Sequence, residues 1–222
     1  MENTVLLLQS GGRDSAAAAV HLLEAGWHVV GITLYAKARE GIEAPRTRAQ
    51  ELSKRFDAYE WGMIDFTEWE KEFKRAVTSQ LSAQLPKSCL ICALSKITAV
   101  IPFCQKRKIR KIAVGYTEYQ STWAEQTPHA VELQRQYLRK LGIELMLPAQ
   151  SYNSKASVQD TLIARELTPE SLENSCCVAK WGTQPVPESL VSESIALGFE
   201  YFMNHNFDVQ LVESIGMSDL AV

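Results

Sequence analysis

The segment Gln9-Ser10-Gly11-Gly12-Arg13-Asp14-Ser15 constrains the fold more than any other part of the chain. It lies between the short apolar run Thr4–Gln9 and the alanine-rich stretch Ala16–Ala25, so it joins a buried strand to a helix. Two adjacent glycines let the backbone turn tightly and direct successive N–H groups at an anion, and the helix N-terminus adds its partial positive charge. Ser10 and Ser15 add hydroxyl donors. No Gly-Lys-Ser/Thr ending follows, and there is no Gly-x-Gly-x-x-Gly pattern, so neither the phosphate loop of GTPases nor a dinucleotide fingerprint applies.

The alternation continues downstream. Trp27–Tyr35 reads as a second buried strand, Arg46–Phe56 as a helix and Ala58–Ile64 as a third strand. Asp65 or Thr67 caps a long amphipathic helix expected to reach Leu85, and Pro86 stops it. Ser88 to Cys92 opens the next helix, which continues to Arg107 despite Pro102; Lys111–Tyr116 is a fourth strand, Thr122–Gly142 a helix and Ile143–Leu147 a fifth strand. Alternating β and α segments predict an α/β fold with a doubly wound parallel sheet and right-handed crossovers. Beyond Pro148 come helices over Ser154–Arg165 and Glu188–His205, a short helix opening at Thr168, an irregular Ser175–Pro187 stretch and an ambiguous tail from Phe207. The expected division is residues 1–150 as a phosphate-binding α/β domain and 151–222 as a small helical C-terminal subdomain.

Composition limits the function classes. With 46% hydrophobic residues the chain buries a real core, and its longest apolar runs, Val5–Leu8 and Trp27–Leu34, have strand length rather than membrane-spanning length. Met1-Glu2-Asn3 has no basic leader character, so the expected location is cytoplasmic, with no membrane partner. The formal charge of −3 argues against a dedicated nucleic-acid binder. In a reducing compartment the five cysteines point to a metal, a cluster or redox chemistry rather than to disulfides.

Those cysteines are unevenly placed. Cys89-x-x-Cys92 puts two thiols at a helix start, Cys176-Cys177 form an adjacent pair, and Cys104 stands alone among apolar neighbours as a core residue. The pair at 89 and 92 allows a redox couple, two zinc ligands or two cluster ligands. The basic run Lys106–Lys111 reads as a solvated helix end. His21, His28, His129 and His205 show no ligand spacing, and the tryptophans read as core or rim residues.

Ser10–Ser15 matches in full the signature Ser-Gly-Gly-x-Asp-Ser of the PP-loop ATP pyrophosphatase superfamily, which the chain resembles. The resemblance implies an adenine nucleotide α-hydrolase-like sheet and cleavage of ATP between the α- and β-phosphates with Mg²⁺. It assigns Ser10, Gly11, Gly12, Arg13, Asp14 and Ser15 to the phosphates and Thr33 and Leu34, within Ile32–Tyr35, to adenine. Asp14 orients the loop or a metal-bound water.

Over residues 3–120 the chain also looks like the tRNA 2-thiolation enzymes of that superfamily, in which a C-x-x-C pair and one distant cysteine hold a [4Fe-4S] cluster. Here the ligands implied are Cys89, Cys92 and one of Cys176 and Cys177, with Cys176 favoured for catalysis. Gly115 matches the glycine of the relatives' Gly-His-x-x-Asp-Asp, but Tyr116-Thr117-Glu118-Tyr119-Gln120 replaces the rest. A second similarity, from Gly115 through Pro185, is to 7-cyano-7-deazaguanine synthase. It would bring Lys155 to the nucleotide phosphates and Zn²⁺ to the cysteines, although no cysteine follows Cys177 to complete a four-cysteine site.

The expected function is therefore an ATP-dependent sulfurtransferase. It adenylates a carbonyl oxygen of a nucleobase-like small molecule or a tRNA base, releases pyrophosphate and installs sulfur from a sulfur donor. The little room beside the sheet for an RNA-recognition module favours the small molecule, and a homodimer is one expected assembly. An amide- or nitrile-forming ligase and a nucleotide-binding module without turnover are the alternatives.

Overall fold

Along β1 (Thr4–Leu8) consecutive side chains leave on opposite faces, and both faces are dry: Val5 and Leu7 pack into one core cluster and Leu6 into another. A strand apolar on both sides needs helices above and below it. A computed structural model describes residues 3–36, 42–172, 184–207 and 209–217 and supplies those helices.

On one face lie α1 (Arg13–Glu24) and α2 (Glu43–Arg55), joined by α6 (Lys155–Ile163), with Ala16–Ala19, Leu52 and Leu162 fully buried. The run of small side chains brings α1 close against the sheet. On the other face α3 (Thr67–Gln80), α4 (Leu90–Arg107), α5 (Pro128–Lys140) and α7 (Glu188–Asn204) enclose Phe73, Leu94, Leu138 and Phe199. Gly198 of α7 lets that helix approach closely, since a Cβ there would lie 3.0 Å from the Phe73 ring.

The remaining strands are β2 (His28–Tyr35), β3 (Tyr59–Asp65), β4 (Lys111–Ala113), β5 (Glu144–Met146) and β6 (Leu211–Ile215). Their order is β5-β4-β1-β2-β3-β6. The first five are parallel, with Leu6 opposite both Val30 and Ile112. The chain turns to opposite sides after β1 and after β4, so a crevice opens between their C-terminal ends.

Several local expectations are corrected. The ambiguous tail contains β6, which pairs antiparallel with β3 at the sheet edge. Arg46 of α2 holds it through two bonds of 2.6 Å to the Glu213 carboxylate. The helix expected from Thr122 begins at Pro128, where the fixed φ of proline suits the first turn and the Thr127 hydroxyl accepts from the Ala130 N–H at 3.2 Å. The freed residues form a 3₁₀ turn over Glu118–Gln120 and a loop beside the crevice. Helix α3 stops at Gln80, because Leu81 is extended, and β4 ends at Ala113 rather than Tyr116.

Candidate functional site

The loop after β1 is built to hold an unusual backbone path. Gly11 has φ +83°, and a Cβ there would sit 2.9 Å from the Pro45 backbone, so any side chain is excluded twice over. Gly12 is the extended N-cap of α1. Inside the turn the buried Ser15 hydroxyl donates to the Gly12 carbonyl at 3.1 Å and accepts from the Ser10 N–H and the Gln9 amide, each at 3.3 Å. The Ser10 hydroxyl accepts from the Gly12 N–H at 3.2 Å. The Gly11 carbonyl accepts from the Leu172 N–H at 3.2 Å, tying the end of the α6 region to the loop. The first turn of α1 thus faces the crevice end of the sheet with its orphan N–H groups, an arrangement suited to phosphate.

The second lip of the crevice is the segment after β4. Gly115 lies so near the loop that a Cβ would meet the Ser15 nitrogen at 2.7 Å. Tyr119 donates its hydroxyl to Asp14 Oδ1 at 2.6 Å, and Gln120 donates an amide hydrogen to Oδ2 at 3.3 Å. Arg13 Nε lies 3.8 Å from Oδ1. Burial raises the Asp14 carboxyl above its ordinary range, against the opposing pull of Tyr119, Arg13, Gln120 and Lys155. Burial and the bond to Asp14 push the Tyr119 phenol up to about 12. Lys155, the first residue of α6, therefore acts electrostatically on Asp14 from an exposed position.

Thr33 of β2 is buried; its hydroxyl donates to the Gln9 carbonyl at 2.6 Å and accepts from the Trp61 indole at 2.9 Å. That pair fixes the strand end on which the adenine contact was expected. Leu34 is half-buried against the core.

The cysteines assemble only in part among the described residues. Cys89 is the N-cap of α4 and Cys92 lies in its first turn, both half-buried, with Cys92 Sγ 4.0 Å from Glu70 Oε1. Cys104 is fully buried and its thiol is pushed up by burial, as suits a core residue. Cys176 and Cys177, the other ligands expected, lie outside the described residues.

One carboxylate missed by the sequence reading stands near this face. Glu125 is 3% exposed, and burial lifts its carboxyl to about 7, with Lys96 of α4 pulling the other way. Its Oε2 and the buried Thr117 Oγ1 have no hydrogen-bond partner among the described residues. The Tyr116 hydroxyl donates to Gln134, whose amide donates to the Glu125 carbonyl at 2.9 Å; burial, with Glu125, Cys92 and Cys89 nearby, pushes this phenol up. Nothing local in the sequence marks Glu125, since it becomes buried only when the loop folds under α5.

The donor chemistry can be tested against the expected groups. Asp14 offers one half-buried carboxylate beside an anion-ready turn, which fits a Mg²⁺ held mainly by phosphate and water. The two sulfurs at C-x-x-C spacing fit two corners of a cluster or two zinc positions, and no group of three metal-binding side chains occurs among the described residues. No helix among those residues is long and apolar enough to cross a membrane.

The family model described as "Thiamine biosynthesis protein (ThiI)" matches residues 1–102. Among solved structures, a 4-thiouridine synthetase crystallised as an RNA complex with bound ATP is similar at TM-score 0.61 and 17% identity over 96% of this chain. This chain spans 56% of that protein's length. The NMN synthetase from Francisella tularensis is similar at TM-score 0.51 and 14% identity, covering 91% of this chain and 84% of its own. No curated protein matches the chain significantly.

Proposed function

On the premise that this chain has the fold and signature loop of the PP-loop ATP pyrophosphatase superfamily, we propose that it adenylates a nucleobase carbonyl oxygen with ATP and replaces that oxygen with sulfur. The observation that carries the proposal is the Gly11–Ser15 turn, which presents N–H donors at the start of α1 where the crevice opens. Those donors hold the departing pyrophosphate, on which negative charge accumulates. The acceptor oxygen bonds to the α-phosphorus as the bond from that phosphorus to the bridging oxygen breaks. A reduced sulfur nucleophile then bonds to the activated carbon and AMP departs.

Arg13 and Lys155 supply positive charge near Asp14 and the loop, and Thr33 and Leu34 form the end of the strand facing adenine. Cys89 and Cys92, with Cys176 or Cys177, would hold a [4Fe-4S] cluster, which supplies an iron position for the incoming sulfur. Of the two acceptor classes, a base within RNA is favoured, because the similar 4-thiouridine synthetase was crystallised with RNA and ATP.

Pyrophosphate release and mass spectrometry of the product nucleoside, measured with transfer RNA and with free nucleobases plus sulfide, test the reading. Pyrophosphate and a thiolated base are expected from RNA. Turnover of free nucleobases alone moves the acceptor to the small-molecule class. An ammonia-derived product with zinc-loaded protein favours the ligase, and ATP binding with no pyrophosphate under any condition overturns turnover.

A further inference from the structure

The carboxylate of Asp14 is bridged across the crevice. Tyr119 OH binds Oδ1 at 2.6 Å and Gln120 Nε2 binds Oδ2 at 3.3 Å, so each oxygen has a neutral donor from a segment more than a hundred residues away. Both donors are themselves anchored. The Gln120 amide oxygen accepts from Gln126 Nε2 at 3.0 Å, and Gln126 Oε1 accepts from the Thr117 N–H at 3.0 Å. The Tyr119 N–H reaches the Tyr152 carbonyl at 3.3 Å, linking the same turn to the segment before α6. The relay therefore runs from the loop after β1, through the turn after β4, to the start of α5.

We infer that Tyr119 and Gln120 are positioning residues that hold Asp14 in the nucleotide-free protein and yield its carboxylate to magnesium when MgATP enters the crevice. The inference rests on the ATP-binding reading above. A metal ion or its water at this carboxylate competes with Tyr119 and Gln120 for the lone pairs of the two oxygens, and a hydrogen bond to a charged acceptor costs more to weaken than one to a neutral acceptor. Without magnesium the same donors keep the half-buried carboxylate from facing bare phosphates unscreened. Arg13 and Lys155 also bear on the carboxylate. The pair thus raises the magnesium needed for nucleotide binding while protecting the binding of metal-free ATP.

Calorimetric titration of ATP into the intact protein, with EDTA and over a series of magnesium concentrations, tests this using Tyr119→Phe, Gln120→Ala and the double variant. The expected result is a split. For each donor lost, the magnesium giving half-maximal ATP affinity falls by about tenfold while affinity for metal-free ATP weakens. Circular dichroism melting confirms that each variant is folded, and the milder Tyr119→Phe keeps the test available should the double variant unfold. A purely structural role would weaken both nucleotide forms in parallel, which overturns the inference. So does an unchanged magnesium midpoint in variants that still bind ATP. Wild-type protein that binds ATP neither with nor without magnesium overturns the nucleotide reading itself, a result distinguishable from the other two.

Discussion

At the residue scale, two positions carry opposite kinds of information. Gly11 was legible in the sequence because a Gly-Gly pair between a strand and a helix has few other uses, and its φ of +83° with Pro45 2.9 Å from a virtual Cβ gives the reason. Gly11→Ala is expected to cost about 1–3 kcal/mol of stability and to abolish measurable ATP affinity, checked by denaturant unfolding and calorimetry. Glu125 was illegible, since a glutamate before Gln-Thr-Pro looks like any solvated turn residue. Its carboxyl is raised in the folded protein, so its contribution is fully present below the ordinary value of 4.5 and is lost as pH rises to about 7. Glu125→Gln removes that loss. Relative to wild type, the variant should gain on the order of 3 kcal/mol between pH 4.5 and 8, with the gain levelling above pH 7. Urea unfolding at several pH values checks this, and a pH-independent difference would contradict it.

At the element scale, the strands and helices around the loop followed from apolar runs, glycine and proline stops and the alanine-rich α1. The elements that shifted did so where a local signal competed with a longer pattern. Helix α5 begins at Pro128 because Thr127 and Pro128 make a stronger start than the polar residues from Thr122 onward. Thr127→Ala should lower stability by about 1 kcal/mol and loosen the Glu118–Gln120 turn, read by melting and by faster amide exchange there. Strand β6 was ambiguous because its five residues have alternating half-buried and exposed positions and gain partners only from β3. Its bidentate tie to Arg46 predicts that Arg46→Met speeds amide exchange in β6, for a loss of about 1 kcal/mol, while β1 amides keep their protection.

At the scale of the whole molecule, the sheet order places the loop after β1 and the segment after β4 on the two lips of one crevice, while Cys89 and Cys92 open α4. On the proposed chemistry, the two functions separate. Cys89→Ala and Cys92→Ala should each leave ATP affinity within about twofold and reduce sulfur transfer by at least about a hundredfold. Thiolation retained in both variants would remove the cysteines from the reaction. The sequence by itself determined the loop, the strand–helix alternation and the division of cysteines into groups, because each depends on neighbours within a turn or a strand. Only the tertiary structure decided that Asp14 is bound by Tyr119 and Gln120, that Glu125 is buried and that β6 closes the sheet edge. Those outcomes depend on which distant segments the crossovers bring together, and on burial, which turns ordinary polar residues into groups with demanding partners.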